Sequence, residues 1–538
     1  MTGIFLHGLL AAGTFASPVT TAPSTSLPST SLPSTTAATG QLPHVLLSAL
    51  VLGPMLTALF LAFFPTRTQE DRGRIRLLAV IAVLILAIAT LWMVNDVNSF
   101  GQTSAYAESH TWFSFLGIAV SYALSSNGVT TTLVFALDSI FFGLTFLRWK
   151  DREYPRTNVT VMLMALGALN LLLFADDVVM LVAGFFLTLG AVGWRLSIGQ
   201  MEASRRWTIT GFMSIIVFSA VLLVLARATG AGNALLLAPV LQPATFTAHV
   251  ALLSGRGLLY LVAMGVLAMW MGVWPFHGWL GNVARHGDSL SREIVVGLVP
   301  RVAGYLAIVM TVGVFPAVSG QFSTLFAVLA VVNALWAAGG MAATKSLKRF
   351  VGYLSMAQGS VILFVIAVPT PLAITGAIYA LVGSMLVTTG AVCAASFLEE
   401  RWKDDPALQS MGVLHVMPRF GMVWMILVIA ASGAPFFPFF TSDLTVFAGV
   451  IPGHRILACA LLASFVLIAI ALFRSIREIL WGTEPHDRLL RAKDLGAGEL
   501  GALGVIFVLI LLYGIFPSHV DTLLNSGVTE LVTHVTGG

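Results

Sequence analysis

LLAVIAVLILAIATLWMV, residues 77–94, carries no charge over eighteen positions; Arg72, Arg74 and Arg76 lead into it and Asp96 follows it. At about 1.5 Å per residue, a helix of this run nearly matches the ~30 Å hydrocarbon core of a bilayer. Runs of this kind recur at 43–64, 126–147, 158–174, 178–194, 207–226, 258–276, 289–312, 322–341, 350–369, 372–397, 420–446, 456–473 and 496–517. The 538 residues are 57% apolar and only 10% charged, against about 25% charged in soluble proteins. The missing charge is a missing aqueous surface. The expected fold class is all-α, a polytopic membrane protein with about fourteen transmembrane helices and the lipid bilayer as its surroundings. Soluble enzymes, nucleic-acid binders and disordered scaffolds are excluded.

The basic residues orient the bundle. They follow the odd-numbered spans: Arg67 to Arg76, Arg148 to Arg156, Arg195 to Arg206, Arg285 and Arg292, Lys345 to Arg349, Arg401 to Arg419, and Arg474 to Lys493. Of 28 Lys and Arg residues, only Arg227, Arg256 and Arg455 fall on the other side, and Arg301 lies within a span. Cytoplasmic loops are the basic ones, so both termini are expected on the non-cytoplasmic side of a bacterial-type inner membrane. The formal net charge of +4 is then a topology signal and does not call for an acidic partner.

Residues 1–41 combine a signal-like stretch, MTGIFLHGLLAAGTFA, with a Ser/Thr/Pro tract that repeats STSLP at 24–28 and 29–33. The stretch lacks the basic start of a signal peptide, and the tract has too little apolar area to fold, so it reads as a flexible lead-in. Helices 1–3 are expected in 42–157, helices 4–8 in 158–312 and helices 9–13 in 313–473. A cytoplasmic loop, helix 14 and an outer tail fill 474–538. Cys393 and Cys459 both lie in apolar runs; with no C-x-x-C pair or Cys/His cluster they read as core residues, not as metal or cluster ligands.

A charge at the centre of a span costs about 2.5–3.5 kcal/mol even on lenient scales, which makes such residues functional candidates. Arg301 sits midway along span 8 in VGLVPRVAGYLAI, Asp443 toward the outer end of span 12, and His277 at the close of span 7. Asp138 on span 3 and the Asp176–Asp177 turn are expected to be hydrated. Two spans are interrupted, span 7 by Gly272 and Pro275 and span 12 by Gly433, Pro435 and Pro438. If spans 4–8 and 9–13 are two five-helix units, each break falls on the fourth member. Matching breaks point to two inverted repeats around a midplane path.

Around these residues the chain resembles a known family. VWPFHGWLGN (273–282), SLKRFVGYLSMAQGSV (346–361), GAIYALVGSMLVTTGAVCAASFLEER (376–401), FFTSDLTVF (439–447) and YALSSNGVTTTL (122–133) are similar to blocks of the antiporter-like subunits of respiratory complex I and of Mrp-type antiporters. The lone acid in span 12 favours the subunit M type of NADH-quinone oxidoreductase. The resemblance implies a proton-translocating module coupled to electron transfer in partner membrane subunits, with quinone met only through the whole complex. It implies no cofactor on this chain, which also lacks a Gly-rich nucleotide loop.

In that family a span-5 Glu paired with a span-7 Lys, a span-8 Lys and a span-12 acid form a hydrated line. This chain departs from it. No acid follows Asp177 in span 5; Trp270 stands at the span-7 Lys position, Arg301 at the span-8 Lys, Ser384 at the span-11 His, and Asn127 at the Asp of the N-terminal block. The proton-path candidates that remain are Arg301, Asp443, His277 and Lys348. Each has a plainer reading: Arg301 as a fixed charge paired with Asp443 directly or through water, His277 as an interfacial residue, and Lys348 with Arg349 as cytoplasmic anchors. An Arg stays protonated where a Lys can release its proton. The resemblance therefore leaves three functions open: a translocation module with impaired pumping, a non-transporting scaffold, and an Mrp-like antiporter subunit.

Overall fold

The computed structural model describes residues 45–65, 68–100, 106–115, 118–148, 154–229, 255–402, 408, 412–481 and 492–536. The signal-like stretch, the Ser/Thr/Pro tract and several basic residues, Arg67, Lys150, Arg152, Lys403, Arg488 and Arg491, lie outside them. In chain order the principal helices are α1 (Leu46–Ala62), α2 (Gln69–Phe100), α3 (Gly128–Arg148), α4 (Pro155–Phe174), α5 (Val178–Ser197), α6 (Met201–Thr229), α7 (Gly255–Met271), α8 (Gly278–His286) and α9 (Ser289–Gly297). There follow α10 (Val299–Val309), α11 (Ser323–Ala343), α12 (Leu347–Ala367), α13 (Pro371–Trp402), α14 (Pro418–Ala431), α15 (Pro438–Val450), α16 (Arg455–Leu480), α17 (Ala497–Ile515) and α18 (Pro517–Thr536). Among the described residues, eleven helical segments are long and apolar enough to cross a bilayer, and α1, α7 and α14 are shorter apolar helices.

Burial sorts these helices into an inner and an outer set. The segment Ser289–Val314 and α13 are wholly buried along their apolar windows, and α4 nearly so, whereas α2 and α16 bury only about a third of theirs. Ile85, Ile88, Ile470 and Val508 project from the outer set with more than half their surface exposed. An apolar mantle this extensive is unstable in water and natural in lipid. The protein is a multi-pass membrane protein.

Both expected breaks are present and share one geometry. α7 ends at Gly272 (φ +67°) before α8 begins at Gly278, and α14 is followed by Gly433 (φ +75°) before α15 begins at Pro438. Each glycine adopts the left-handed conformation that a side chain disfavours. A third break was not anticipated. Span 8 is divided at Leu298 into α9 and α10, with Pro300 in the first turn of α10.

The departure from helix is a hairpin between α2 and α3. β1 (Tyr106–Phe115) pairs antiparallel with β2 (Ile118–Ser126), Tyr106 opposite Ser126. Its Glu108 carboxylate accepts from the backbone N–H of Leu47 (2.8 Å) and Ser48 (3.1 Å) and from the Ser48 hydroxyl. The hairpin thus supplies the acceptors that the first turn of α1 cannot find within the helix.

Candidate functional site

The centre of the molecule is organised by one proline. Pro300 has no N–H, so the carbonyl four residues earlier, Val296, loses its helical partner. That carbonyl accepts instead from Arg301 Nη1 at 2.7 Å and from the Ser355 hydroxyl at 2.8 Å. The remaining Arg301 donors are also taken: Nη1 to Ser355 Oγ (2.6 Å), Nη2 to Gln358 Oε1 (2.6 Å) and Thr388 Oγ1 (2.7 Å), and Nε to Ser384 Oγ (3.1 Å). A guanidinium has five N–H groups, and here each meets a neutral oxygen. Arg301 is 2% exposed. It is a buried, fully hydrogen-bonded cation with no carboxylate in its first contacts, and the direct pairing with Asp443 expected from the sequence is not formed.

A second polar cluster, drawn from α9, α12 and α13, lies nearer the basic end. Glu399 of α13 receives Lys348 Nζ at 2.5 Å and pairs with Arg292 Nη2, which also reaches Ser396 Oγ at 3.3 Å. Lys348 is therefore no solvated anchor; its side chain is only 10% exposed. Between the clusters, Arg292, Val296 and Lys348 border a void of about 10 Å³, and a similar one touches Arg301, Ser355, Gln358 and Ser384. Each is about the size that admits a single water. Nε and Nη1 of Arg292 meet no acceptor among the described residues, so the first void has a polar wall.

Spacing on α13 explains the alignment: Ser384, Thr388, Ser396 and Glu399 recur at helical intervals and face α9, α10 and α12. Sequence reasoning missed Arg292, Ser355, Gln358, Thr388 and Glu399. The stripe on α13 and the proline beside Arg301 were the signals available.

The other candidates do not join this line. Asp443 lies over the second break, its Oδ2 about 3.0 Å from where a side chain on Gly433 would begin. His277 stands at the surface, where its Nε2 accepts from the exposed Trp336 indole at 3.1 Å. Asn127 caps α3 reciprocally with Thr130, at 3.0 and 2.8 Å. The expectation of hydrated carboxylates fails at Asp138 and Asp177, both fully buried. Asp138 accepts from Asn170 Nδ2 at 3.1 Å, and Asp177 caps α5 through Val179 N–H at 2.7 Å while accepting from Ser121.

Residues 179–470, more than half of the chain, match the family described as NADH:quinone oxidoreductase/Mrp antiporter, TM. The chain belongs to this family. It is 24% identical over 502 residues to the NAD(P)H-quinone oxidoreductase chain 4 2 of Picosynechococcus sp., covering 91% of this chain and 93% of that one. With the NADH-quinone oxidoreductase subunit M of Rickettsia prowazekii the identity is 20% over 494 residues, covering 90% and 98%. Among solved structures, a chain of respiratory complex I from Thermus thermophilus superposes with a TM-score of 0.77 at 18% identity, over 91% of this chain and 100% of that one. A chain of the Mrp complex from Dietzia sp. gives 0.77 at 16%, over 92% and 98%. At these identities the structural likeness is one of fold.

Within this family fold, the region of Trp270 is filled by rings. Trp270 is 1% exposed, packs on Phe185 (4.8 Å between centroids) and Trp207 (5.4 Å), and donates its indole N–H to Ser214 at 2.9 Å. Trp279 extends the cluster from Trp207 at 5.2 Å. Among the described residues, Trp270 meets Phe185, Trp207 and Ser214 at the place where the sequence resemblance implies a Glu/Lys pair.

Proposed function

We propose that this chain is the antiporter-like membrane subunit of a complex I-like quinone oxidoreductase, coupled to electron transfer in partner membrane subunits, and that its central proton station is replaced by a permanent cation. One observation carries the reading: all five donors of Arg301 are held by neutral oxygens. A guanidinium so placed neither releases a proton nor swings to a new partner without giving up several buried hydrogen bonds. The aromatic plug at Trp270 closes a second station. Lys348, Glu399 and Arg292 form a polar line from the basic end toward the middle, and it stops at Arg301. His277 and Asp443 stand apart from that line. On this reading the bundle positions and seals, and its own proton flux is impaired.

The distribution of basic residues supports a bacterial-type inner membrane with the basic loops in the cytoplasm and both termini outside. The two matching glycine breaks support the two inverted five-helix units, residues 158–312 and 313–473.

The test is proton uptake during quinone reduction by the intact assembly in proteoliposomes, normalised to assembled complex. Asp443→Asn and Lys348→Gln are expected to leave the proton-to-electron ratio within error of the wild type. A variant that assembles and reduces quinone normally but loses proton uptake overturns the reading in favour of a working relay.

A further inference from the structure

At the basic end of the bundle, outside the buried line, the break between α7 and α8 opens into a cleft of about 250 Å³. Three guanidiniums border it, Arg206 from α6, Arg285 from α8 and Arg349 from α12, together with His277, Asn282 and His286. No carboxylate is among the lining residues. Arg206 is paired with Glu202 along its own helix at 2.8 Å, which leaves the other two as the stronger anion donors. Nδ1 of His277, Nδ1 of His286 and the Asn282 side-chain oxygen are buried without a hydrogen-bond partner among the described residues. Because Nε2 of His277 accepts from Trp336, its Nδ1 carries the ring proton and is an unmet donor. The Asn282 amide presents either its oxygen or, turned over, its NH2 group.

The surroundings identify the kind of anion. Phe276, next to His277 in the chain, and Trp336, hydrogen-bonded to it, are each about half exposed and give the cleft an apolar flank. A basic recess that adjoins an apolar, lipid-facing wall matches the two parts of an acidic phospholipid. We propose that this cleft binds the phosphate of an acidic phospholipid, with Arg285 and Arg349 on its oxygens, His277 Nδ1–H donating from the floor, and the acyl chains along Phe276 and Trp336. The lipid would then hold the α7–α8 break against α6 and α12.

The full chain purified in mild detergent, titrated with phosphatidylglycerol, phosphatidylcholine or inorganic phosphate, tests this by native mass spectrometry and thermal shift. Phosphatidylglycerol is expected to remain bound and raise the melting temperature, with the zwitterionic lipid far weaker. Arg349→Gln is expected to weaken retention roughly fivefold and Arg285→Gln/Arg349→Gln roughly 25-fold, the size of effect of removing basic residues at a membrane surface. Arg205→Gln, outside the cleft lining, serves as the control and is expected to bind as the wild type. Both arginines of the double variant are exposed, and an unchanged elution profile in detergent shows that it is folded. Equal retention by the double variant overturns the site, and equal stabilisation by inorganic phosphate overturns the lipid assignment.

Discussion

Arg301 shows how much one side chain determines here. Lysine has three donors for the five oxygens that Arg301 reaches, so Arg301→Lys forfeits at least two charge-assisted hydrogen bonds, while Val296 O keeps the Ser355 hydroxyl and Gln358 Oε1 keeps that of Thr388. Each such bond to a charged group contributes about 1.5–3 kcal/mol, and a clear drop in melting temperature in detergent is expected. An unchanged melting point shows that the cradle is not the source of order at the centre. Trp270 gives a second residue-scale test. Trp270→Lys places an unpaired charge among Phe185, Trp207 and Trp279, a loss of about 3–5 kcal/mol, and the protein is expected to accumulate poorly. Phe185→Glu in the same chain, whose ring lies 4.8 Å from Trp270, is expected to restore part of that loss. Additive damage in the double variant counts against the two positions acting as a pair site.

Among the elements, the broken helices depend on side chains from their neighbours. Where α7 stops, the backbone N–H of Trp274 is met by Asn333 Oδ1 of α11 at 2.8 Å, and Asn333 Nδ2 holds Met356 O and Ser360 Oγ of α12, each at 2.9 Å. An interruption within a membrane protein persists only where such partners re-satisfy the backbone. Asn333→Ala strands the N–H of Trp274, about 1–3 kcal/mol, and removes a further donor from Met356 O and Ser360 Oγ; thermal denaturation and protease sensitivity near residue 274 should both report it. The hairpin over α1 gives a pH prediction. Burial, with the hydrogen bond to Asp96, pushes the Tyr106 hydroxyl well above its ordinary value of 10.0, and burial also raises Tyr122. A raised folded value means the contribution is complete below about pH 10 and declines as the pH climbs further. Tyr106→Phe is expected to flatten that alkaline decline in a melting-temperature profile. The breaks were legible because Gly and Pro announce them, and the one at Leu298 was legible in Pro300 and went unread. The hairpin was not legible, since its use is to cap a helix far off in sequence.

For the whole molecule, the charge asymmetry makes a topological prediction. Alkaline phosphatase fused after residue 516 is expected to be active and a fluorescent protein fused there dark, with the reverse for fusions in the basic connection at Lys345. Opposite results overturn the orientation. Family membership makes another: purification in mild detergent is expected to bring down other membrane subunits of a quinone oxidoreductase, and a lone small partner argues for a different assembly.

Composition and periodicity settled the solvent, the helical class and the two glycine breaks, because those follow from transfer energies and backbone conformation that act locally. The family blocks marked Arg301, Trp270 and Ser384 as positions of interest. What these residues do was decided by packing. Only the folded chain brings Ser355, Gln358, Thr388 and Ser384, from helices distant in sequence, to the five donors of Arg301, and only there does Lys348 meet Glu399. Hydrogen-bond satisfaction in a low-dielectric interior belongs to the assembled structure, and it is what holds the Arg301 charge at the middle of span 8.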